Sequence, residues 1–398
     1  MTPPRPGEEA MEERSASVIV VGGGVIGLSV AFELLRRGRT VEVIDRAEVA
    51  GTATRAAAGM LAPVSEIELE DPAVLALALD SLDRYPKFIA DLEGVARRSC
   101  EYRTDGTLWV ALNRDDVAEL DHLQETFTVK LQRMPARRLT SKQVLEREPH
   151  LSGRVLGGLL VERDLQVDPR ALASALREGI RALGGSVVRD LRVEEIVVAG
   201  GRARGVEAIA PDGSRTRRSC DTVVLAAGAW STVEIRSPVS GIGIRPVKGQ
   251  LIRLKGTRLL RHVVRHPDVY LVPRDSGELL LGATMEEVGF DASVTAGAVH
   301  DLLRQAWQLV PGVYDLELAE VSVGFRPASA DNRPVVGSAG TDGLYVAVGH
   351  GRQGVLLAPA TARYLAECVV SGKIPPELEP FSVSRAQDIA IESEVAGS

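Results

Sequence analysis

The chain has 398 residues, of which 45% are hydrophobic and 25% charged, a composition typical of a globular protein with room for two domains. Its formal charge of −7 argues against a nucleic-acid partner, and no apolar run reaches the roughly 18 residues of a membrane span. Three widely separated cysteines, Cys100, Cys220 and Cys368, suit neither a disulfide framework nor a zinc site, so we expect no metal and a reducing, cytoplasmic location.

The N-terminal part of the chain predicts a strand–helix–strand unit. Residues 1–15 are rich in proline and charge, which indicates a disordered leader. A β-branched run at 17–21 ends on three glycines, and an apolar pattern typical of a helix follows at 25–37. A second strand at 40–44 ends on Asp45. Such a unit within about 30 residues predicts two parallel strands with a right-handed crossover.

The glycines of this unit form the pattern Gly22-x-Gly24-x-x-Gly27. Gly22 permits the tight turn out of the strand, Gly24 lets the backbone approach a pyrophosphate, and Gly27 lets helix and sheet pack closely. Asp45 is placed to accept hydrogen bonds from ribose hydroxyls. The pattern follows a strand and opens a helix, which favours a dinucleotide site over a glycine-rich turn without a ligand.

The remaining chain predicts further helices and many strands. A loop of small residues covers 52–60, and a helix follows at about 72–93. Strands and polar turns alternate from 100 to 165, after which Asp168 caps another helix that ends near 183. The later elements are a strand at 186–189, a meander with turns at 200–201 and 212–213, a strand at 221–226, a β-rich region at 241–285, a helix at 295–309, a strand at 321–327, a turn at 331–334, a strand at 344–348 and a helix at 354–371.

Two glycine-lined segments lie at opposite ends of the chain. The second, at 349–354, again precedes a helix, and two such approaches suit a long ligand such as FAD better than NAD. We expect an α/β protein (α+β overall), with a discontinuous Rossmann-like FAD-binding domain and an antiparallel β-rich substrate domain with helices. The predicted ranges are 1–15 for the leader, 16–88, 155–240 and 326–385 for the FAD-binding domain, 89–154 and 241–325 for the substrate domain, and 386–398 for a flexible tail.

Several longer motifs resemble the D-amino-acid-oxidase superfamily, and within it the glycine oxidases of the thiamine pathway. The resemblance covers about residues 17–371, and the pairing of AAAGML with GHxRxGxLLAPAT is its most specific part. The motifs are VVGGGVIGLSVAFEL, RAAAGMLAP, AAGAW, VKGQ, YLVPR, LGATM, GFRPASADNRPVVG and GHGRQGVLLAPATA. The resemblance implies a flavoenzyme that oxidises small amines, forms a homotetramer and hands its product over to thiazole synthesis.

The resemblance also implies which residues contact FAD. Relatives often carry Glu where this chain has Asp45, which we expect to alter the ribose geometry and not the cofactor. No cysteine lies in the motif that anchors FAD covalently in some sarcosine oxidases, so we expect a non-covalent cofactor. The implied and motif-derived cofactor residues are Gly22, Gly24, Val25, Ile26, Gly27, Asp45, Arg46, Ala53, Thr54, Ala58, Gly59, Met60, Val193 (through its backbone), His350, Gly351, Arg352, Gln353, Gly354, Val355 and Leu356.

An amino-acid substrate presents a carboxylate, which a planar arginine fork binds through two parallel hydrogen bonds. Arg326 and Arg352 lie in apolar or glycine-rich surroundings, where the sequence alone favours structural ion pairs over ligand binding. The resemblance implies that Arg326 binds the substrate carboxylate, that the hydroxyl of Tyr270 assists it, that Arg352 is a second arginine at the site, and that Met285 forms a wall.

The chemistry asks little of the protein, because the lone pair of a neutral amine can drive hydride transfer from the α-carbon to flavin N5. We therefore expect no catalytic acid or base and no His/Asp pair, with O2 reoxidising the flavin to give H2O2. His350 is interpreted as a flavin neighbour, with proton transfer as the alternative, and Lys248 either lies near the flavin or only caps a strand. Alternatives for the whole protein are a D-amino-acid dehydrogenase that uses a quinone or other carrier, a sarcosine-oxidase-like N-methyl amino acid oxidase, and a flavin-binding scaffold or sensor without turnover.

Overall fold

The structure, a computed structural model, describes residues 16–46, 51–63, 71–130, 134–239 and 241–396. The predicted leader at 1–15 lies outside the described residues. Within the described chain the helices are α1 (Val25–Arg36), α2 (Pro72–Ala96), α3 (Arg114–Lys130), α4 (Ser141–Arg147), α5 (Pro169–Ala182), α6 (Ala296–Leu309), α7 (Gly354–Ser371) and α8 (Val383–Ala396). Short 3-10 helices cover Gly228–Trp230, Pro311–Asp315, Gly351–Gln353 and Pro376–Phe381.

The strands of the described residues, in chain order, form four sheets. They are β1 (Val18–Val21), β2 (Val41–Ile44), β3 (Gly51–Thr52), β4 (Met60–Leu61), β5 (Thr107–Ala111), β6 (Ala136–Thr140), β7 (Gly157–Val161), β8 (Leu165–Gln166), β9 (Ser186–Val188), β10 (Arg192–Ala199), β11 (Arg202–Ile209), β12 (Arg215–Ser219), β13 (Thr222–Leu225), β14 (Arg245–Lys255), β15 (Val263–His266), β16 (Val269–Pro273), β17 (Glu278–Gly282), β18 (Glu317–Ala328), β19 (Val335–Ser338) and β20 (Leu344–Val348).

A six-stranded sheet in the order β19-β20-β13-β1-β2-β9 confirms the predicted Rossmann-like unit. Its pairings are parallel except for β19 with β20. All four residues of β1 are buried, as a central parallel strand requires, because helices cover both faces of such a sheet. The helices α1, α2 and α7 pack together on this sheet around Phe32, Tyr85 and Leu365.

The second large sheet has nine strands in the order β3-β18-β14-β17-β16-β15-β5-β7-β6. It is antiparallel except where β3 pairs with β18 and β5 with β15, so the chain combines a parallel and a mostly antiparallel layer, as predicted. β14 and β18 pair over eleven positions, with Gly249 opposite Gly324 and Val247 opposite Arg326. The helix α6 covers part of this sheet through Leu302, Ala306 and other buried residues.

Two helices occur where the sequence predicted only strands and turns. The sequence of α3 is rich in charged residues, but Leu120 and Phe127 form a buried apolar stripe on one face of the helix. The side chain of Asn113 accepts hydrogen bonds from backbone N–H groups of the first turn. The helix α4 begins at a capping box in which Thr140 and Gln143 satisfy each other's backbone N–H groups. Both signals are short and lie within a region whose pattern is otherwise typical of strands and turns.

Two predicted boundaries differ from the structure. The boundary at 155 assigned β7 to the FAD-binding domain, but β7 pairs with β5 and β6 in the nine-stranded sheet. The predicted flexible tail at 386–398 is helical as far as Ala396, because α8 buries Val383 and Ala386 against the core. The division into two domains stays a prediction.

Candidate functional site

The glycine fingerprint forms a sharp turn between β1 and α1. Gly22 has a φ of 113°, and a Cβ on Gly27 would lie 2.0 Å from the Gly22 carbonyl oxygen, so only glycine fits at both positions. Around Gly24 the nearest atom to an added Cβ is Thr54 Oγ1 at 3.5 Å, which leaves the backbone open to a ligand. The hydroxyl oxygen of Thr54 also accepts a hydrogen bond from Val25 N, at 3.0 Å. The turn is therefore fixed while its N–H face stays accessible.

Asp45 lies at the end of β2 beside this turn. Its backbone bonds to Val188 and Leu191, which fixes the residue at the sheet edge. Burial raises the pKa of the Asp45 carboxyl, although a hydrogen bond from the Gly23 N–H and the charge of Arg177 oppose that rise. A carboxylate held in this way is suited to accept hydrogen bonds from the hydroxyls of a ribose.

The loop from Ala53 to Met60 is tied to the start of α5. Gly59 has a φ of 77°, and a Cβ there would lie 1.9 Å from the carbonyl oxygen of Val167. The Gly59 carbonyl accepts a hydrogen bond from Val167 N at 2.9 Å. The backbone of this loop, whose small residues were predicted to lie along a flavin, therefore packs directly against residues 166–168.

A fully buried arginine from the nine-stranded sheet holds this loop in place through hydrogen bonds. Arg274 directly follows β16, is 0% exposed, and donates hydrogen bonds to the Ala58 carbonyl and, at 3.0 Å, to Gln166 Oε1. Its Nε lies 3.3 Å from the carboxylate of Asp168, which also caps α5. Burial lowers the pKa of Arg274 to about 10, so the guanidinium stays charged at neutral pH. The motif YLVPR contains this arginine but does not indicate its role, because its burial depends on tertiary contacts.

A cavity of about 510 Å³ joins these features to the nine-stranded sheet. It brings together predicted residues from both ends of the chain. Those that line it are Gly22, Gly24, Val25, Ile26, Asp45, Arg46, Ala53, Thr54, Ala58, Gly59, Met60, Val193, Tyr270, Met285, Arg326, His350, Gly351, Arg352, Gly354 and Val355.

Three predicted cofactor residues do not line the cavity. Gly27 packs against Gly22 behind the turn, as its role in helix–sheet packing requires. Leu356 is 1% exposed and belongs to the hydrophobic core, because the rotation of α7 directs it away from the cavity. Gln353, in the 3-10 turn before α7, also lies outside the cavity wall.

His350 is held as a neutral side chain at the cavity wall. It is 3% exposed, its Nε2 lies 3.1 Å from Thr361 Oγ1, and burial lowers its pKa to about 3. A histidine that resists protonation to this degree cannot accept and hold a proton near neutral pH. Its position agrees with the interpretation as a neighbour of the cofactor and disfavours the proton-transfer alternative.

Arg326 and Tyr270, on strands of the nine-stranded sheet, line another part of the cavity. Nη1 of Arg326 donates to the carbonyls of Lys248 at 3.3 Å and Thr284 at 3.1 Å. These bonds fix one edge of the guanidinium plane, an arrangement suited to a planar carboxylate. Met285 lines the same region and is 67% exposed.

Two glycines make room for these side chains, and sequence analysis missed them. A Cβ on Gly249 would lie 2.5 Å from both terminal nitrogens of Arg326, and one on Gly282 would lie 2.3 Å from the Tyr270 hydroxyl oxygen. Both glycines stand in quoted motifs, VKGQ and LGATM. Each glycine is needed because a large side chain on the neighbouring strand fills the space that its Cβ would occupy. A single sequence does not show which strands are neighbours.

Lys248 points away from the cavity. It is 1% exposed, its Nζ lies 3.6 Å from Glu286 and 3.5 Å from Asp291, and it does not line the cavity. The adjacent Gly249 faces Arg326, so the alternation along β14 places the lysine on the opposite face. This position disfavours the alternative in which Lys248 lies near the flavin.

Contrary to expectation, a histidine of the cavity wall pairs with an aspartate. His266 lines the cavity, and its Nε2 lies 3.2 Å from the carboxylate of Asp116. Its Nδ1 lies 3.4 Å from the backbone N–H of Asp268, so both ring nitrogens have protein partners. Although burial opposes it, hydrogen bonds from Leu112 N–H and from the ring hold the pKa of Asp116 below its usual range. The pair was missed because Asp116 lies on the unexpected helix α3.

Aromatic side chains form a further unpredicted wall. The guanidinium of Arg46 lies 3.9 Å from the ring centre of Trp230, and Nη1 of Arg46 lies 2.7 Å from Glu234. Phe290 stacks on Trp230 at 5.4 Å and contacts Phe325 at 5.3 Å. In the sequence, Trp230 lies in the motif AAGAW and Phe325 in GFRPASADNRPVVG, but neither motif predicted that the two side chains meet.

The described residues fit an extended dinucleotide. An open glycine turn at a helix N-terminus suits a pyrophosphate, Asp45 suits a ribose, and the remote segment at His350 suits the far end of the ligand. Among the described helices, none has the length and apolar character that a membrane crossing requires. Fold and site together define a dinucleotide-binding protein.

Comparison with known proteins makes this class specific. The model of the FAD dependent oxidoreductase (DAO) family matches residues 17–368, and the chain belongs to that family. The predicted cofactor, FAD, is therefore confirmed at the level of the family.

Individual relatives agree with this assignment. The chain is 34% identical to the bifunctional protein ThiO/ThiG of Trichormus variabilis over 93% of its own length and 55% of the relative's, so it spans about half of that protein. It is similar to the crystal structure of glycine oxidase from Geobacillus kaustophilus, with a TM-score of 0.81, 30% identity, and coverage of 92% of this chain and 98% of that one. It is also 30% identical to the hydrogen cyanide synthase subunit HcnC of Pseudomonas aeruginosa, over 94% of this chain and 97% of the relative.

Proposed function

We propose that the protein catalyses the FAD-dependent oxidative deamination of glycine and other small amines or D-amino acids. The products are the imine or its 2-oxo acid, and H2O2 formed from O2. The observation that carries the proposal is the position of Arg326 and Tyr270 in the same cavity as the glycine turn and Asp45. The similarity to glycine oxidases supports the same substrate class.

In this proposal Arg326 binds the substrate carboxylate. Two backbone carbonyls, of Lys248 and Thr284, fix its Nη1, so the guanidinium plane is oriented before the substrate arrives. Tyr270 adds a hydroxyl at the carboxylate end, and Met285 limits the space beside the α-carbon. These residues position the substrate and exchange no proton with it.

Bound FAD supplies a hydride acceptor, which the side chains of the protein cannot provide. The protein must deliver the amine in its neutral form and exclude competing water. His350 is neutral and both ring nitrogens of His266 have partners, so neither is arranged as a general base. The proposed rate enhancement therefore comes from positioning rather than from proton transfer.

The fused ThiO/ThiG relatives support a role in supplying thiazole biosynthesis, since fusion places two activities on one chain. We propose release or transfer of the imine to such a partner, and a homotetramer in solution. Similarity to a hydrogen cyanide synthase subunit shows that relatives at this identity are named for different products, so the product must be measured directly.

The proposal is tested on the purified yellow protein with a panel of glycine, sarcosine and D-amino acids. We expect oxygen uptake with equimolar H2O2, and loss of this activity in Arg326→Ala while FAD remains bound. Wild-type turnover in Arg326→Ala would contradict the carboxylate-binding role. Rapid flavin reduction followed by slow reoxidation in air would instead identify a dehydrogenase that uses another acceptor.

A further inference from the structure

The helix α7 begins at the cavity and is interrupted soon afterwards by a proline. Gly354 and Val355 line the cavity, and Pro359 stands in the second turn. Proline has no backbone N–H, so the Val355 carbonyl, four residues earlier, loses its usual helical donor. A buried carbonyl without a donor costs free energy, which implies that another group must serve it.

Two side chains of α2 supply the missing bonds. The hydroxyl of Tyr85 donates to the Val355 carbonyl. The hydroxyl of Ser81 donates to the Leu356 carbonyl at 2.6 Å and accepts from Ala360 N at 3.2 Å, so it joins the two groups that pair directly in a regular helix. Ser81 and Tyr85 are both fully buried, and burial raises the pKa of Tyr85 well above its usual value. The tyrosine therefore remains a hydrogen-bond donor at neutral pH.

The two side chains lie on one face of α2. Positions four residues apart in a helix point in the same direction, so Ser81 and Tyr85 meet α7 together. One turn further along α7, Arg84 donates to the Tyr364 hydroxyl at 3.1 Å. Tyr85 contacts the cavity end of α7 and Ser81 spans Pro359 from Leu356 to Ala360, whereas the contact of Arg84 lies entirely beyond Pro359.

We propose that Tyr85 and Ser81 are positioning residues that bridge the break at Pro359, hold the first turn of α7 at the cavity, and thereby set FAD affinity and reduction potential. The N-terminal end of a helix carries a partial positive charge, which favours the electron-rich form of a bound cofactor and falls off within one turn. Displacement of the first turn of α7 therefore changes both the FAD affinity and the reduction potential. The inference rests on the proposed placement of FAD beside His350 and Val355.

The central test is the variant Tyr85→Phe, which removes one hydroxyl and keeps the ring. The loss of one bond to a buried carbonyl predicts about tenfold weaker FAD binding, measured by flavin fluorescence on the reconstituted protein. We also expect a lower midpoint potential in a redox titration of the FAD-loaded protein. Neither measurement needs an amine substrate, so both remain valid even when the proposed amine oxidation fails.

A second substitution separates positioning from general stability. Pro359→Ala restores an N–H opposite the Val355 carbonyl, so the double variant Tyr85→Phe/Pro359→Ala should recover most of the affinity and potential. Tyr364→Phe removes the bond to Arg84 on the same helix pair, away from the cavity, and should leave both quantities unchanged.

Two outcomes would overturn the inference. The first is wild-type affinity and potential in Tyr85→Phe, and the second is failure of the double variant to recover either one. Where Tyr85→Phe does not fold, Ser81→Ala takes its place in the affinity and potential measurements, with the same expected directions. Unchanged values in Ser81→Ala would then overturn the inference. Failure of the wild-type protein to bind FAD would contradict the proposed function itself, which keeps the two results distinguishable.

Discussion

Gly249→Ala tests whether the position of the Arg326 guanidinium depends on the absence of a methyl group at residue 249. The added Cβ would lie 2.5 Å from both terminal nitrogens of Arg326 and 2.6 Å from its Cζ. Ordinary non-bonded contacts begin near 3.5 Å, so the guanidinium must move by about 1 Å. Gly249 has no positive φ, and the effect of the substitution is therefore steric rather than a matter of backbone strain.

The size of the effect follows from the contacts that such a shift disturbs. Arg326 is fixed by hydrogen bonds to the carbonyls of Lys248 and Thr284, and a shift of about 1 Å breaks the alignment of the fork. A charge-assisted hydrogen bond contributes about 1.5–3 kcal/mol, and a 1 Å misplacement at a reacting centre costs about 100-fold in rate. We expect kcat/KM for glycine to fall by about 100-fold.

The assay is steady-state oxygen uptake with glycine, together with the FAD content of each preparation. Gly297→Ala is the matched control, because no atom lies within 4 Å of its added Cβ, and it should keep wild-type kcat/KM. In an Arg326→Lys background, Gly249→Ala should have little further effect, since the smaller ammonium leaves room. A kcat/KM for Gly249→Ala within threefold of wild type, with full FAD content, would refute this reasoning.

Three further predictions concern buried ionisable groups. Arg274→Met leaves the carboxylate of Asp168 without its buried cation, and we expect a loss of about 3–5 kcal/mol in the free energy of unfolding by denaturant titration; a loss below 1 kcal/mol would contradict this. The folded-state pKa of His350, about 3, lies below its unfolded value, so the folded state resists protonation and stability falls as pH drops below about 6.5. His350→Gln should therefore show a smaller loss of stability between pH 6.5 and 4, and an unchanged loss would count against it. Because the pKa of Asp45 is raised and its carboxylate is proposed to accept ribose hydroxyls, FAD binding should weaken as pH falls towards that pKa, whereas Asp45→Asn should bind FAD more weakly and with little pH dependence across this range.

Features carried by local patterns were predictable from the sequence. The turn at Gly22 and the helix capped by Asp168 depend on residues that are neighbours along the chain, and the structure confirms both. Arg326 and Tyr270 were assigned through resemblance, and the structure places them in one cavity, while their roles stay proposals.

Features that arise between distant segments were not predictable. Gly282 is required because Tyr270 crosses it on the next strand, and nothing in either local sequence indicates this pairing. The pairing of His266 with Asp116 depends on α3, a helix whose charged sequence concealed its buried stripe. The core position of Leu356 follows from the rotation of α7, which motif matching does not define.

The most direct test of the central claim is an anaerobic titration of the purified FAD-loaded protein with glycine, followed at the flavin absorption band. A site in which Arg326 orients a small amino acid against FAD predicts complete bleaching by glycine. In Arg326→Ala, with FAD content unchanged, we expect bleaching at least 100-fold slower at the same glycine concentration. A flavin that glycine and the other small amines of the panel leave oxidised in the wild-type protein would contradict the claim.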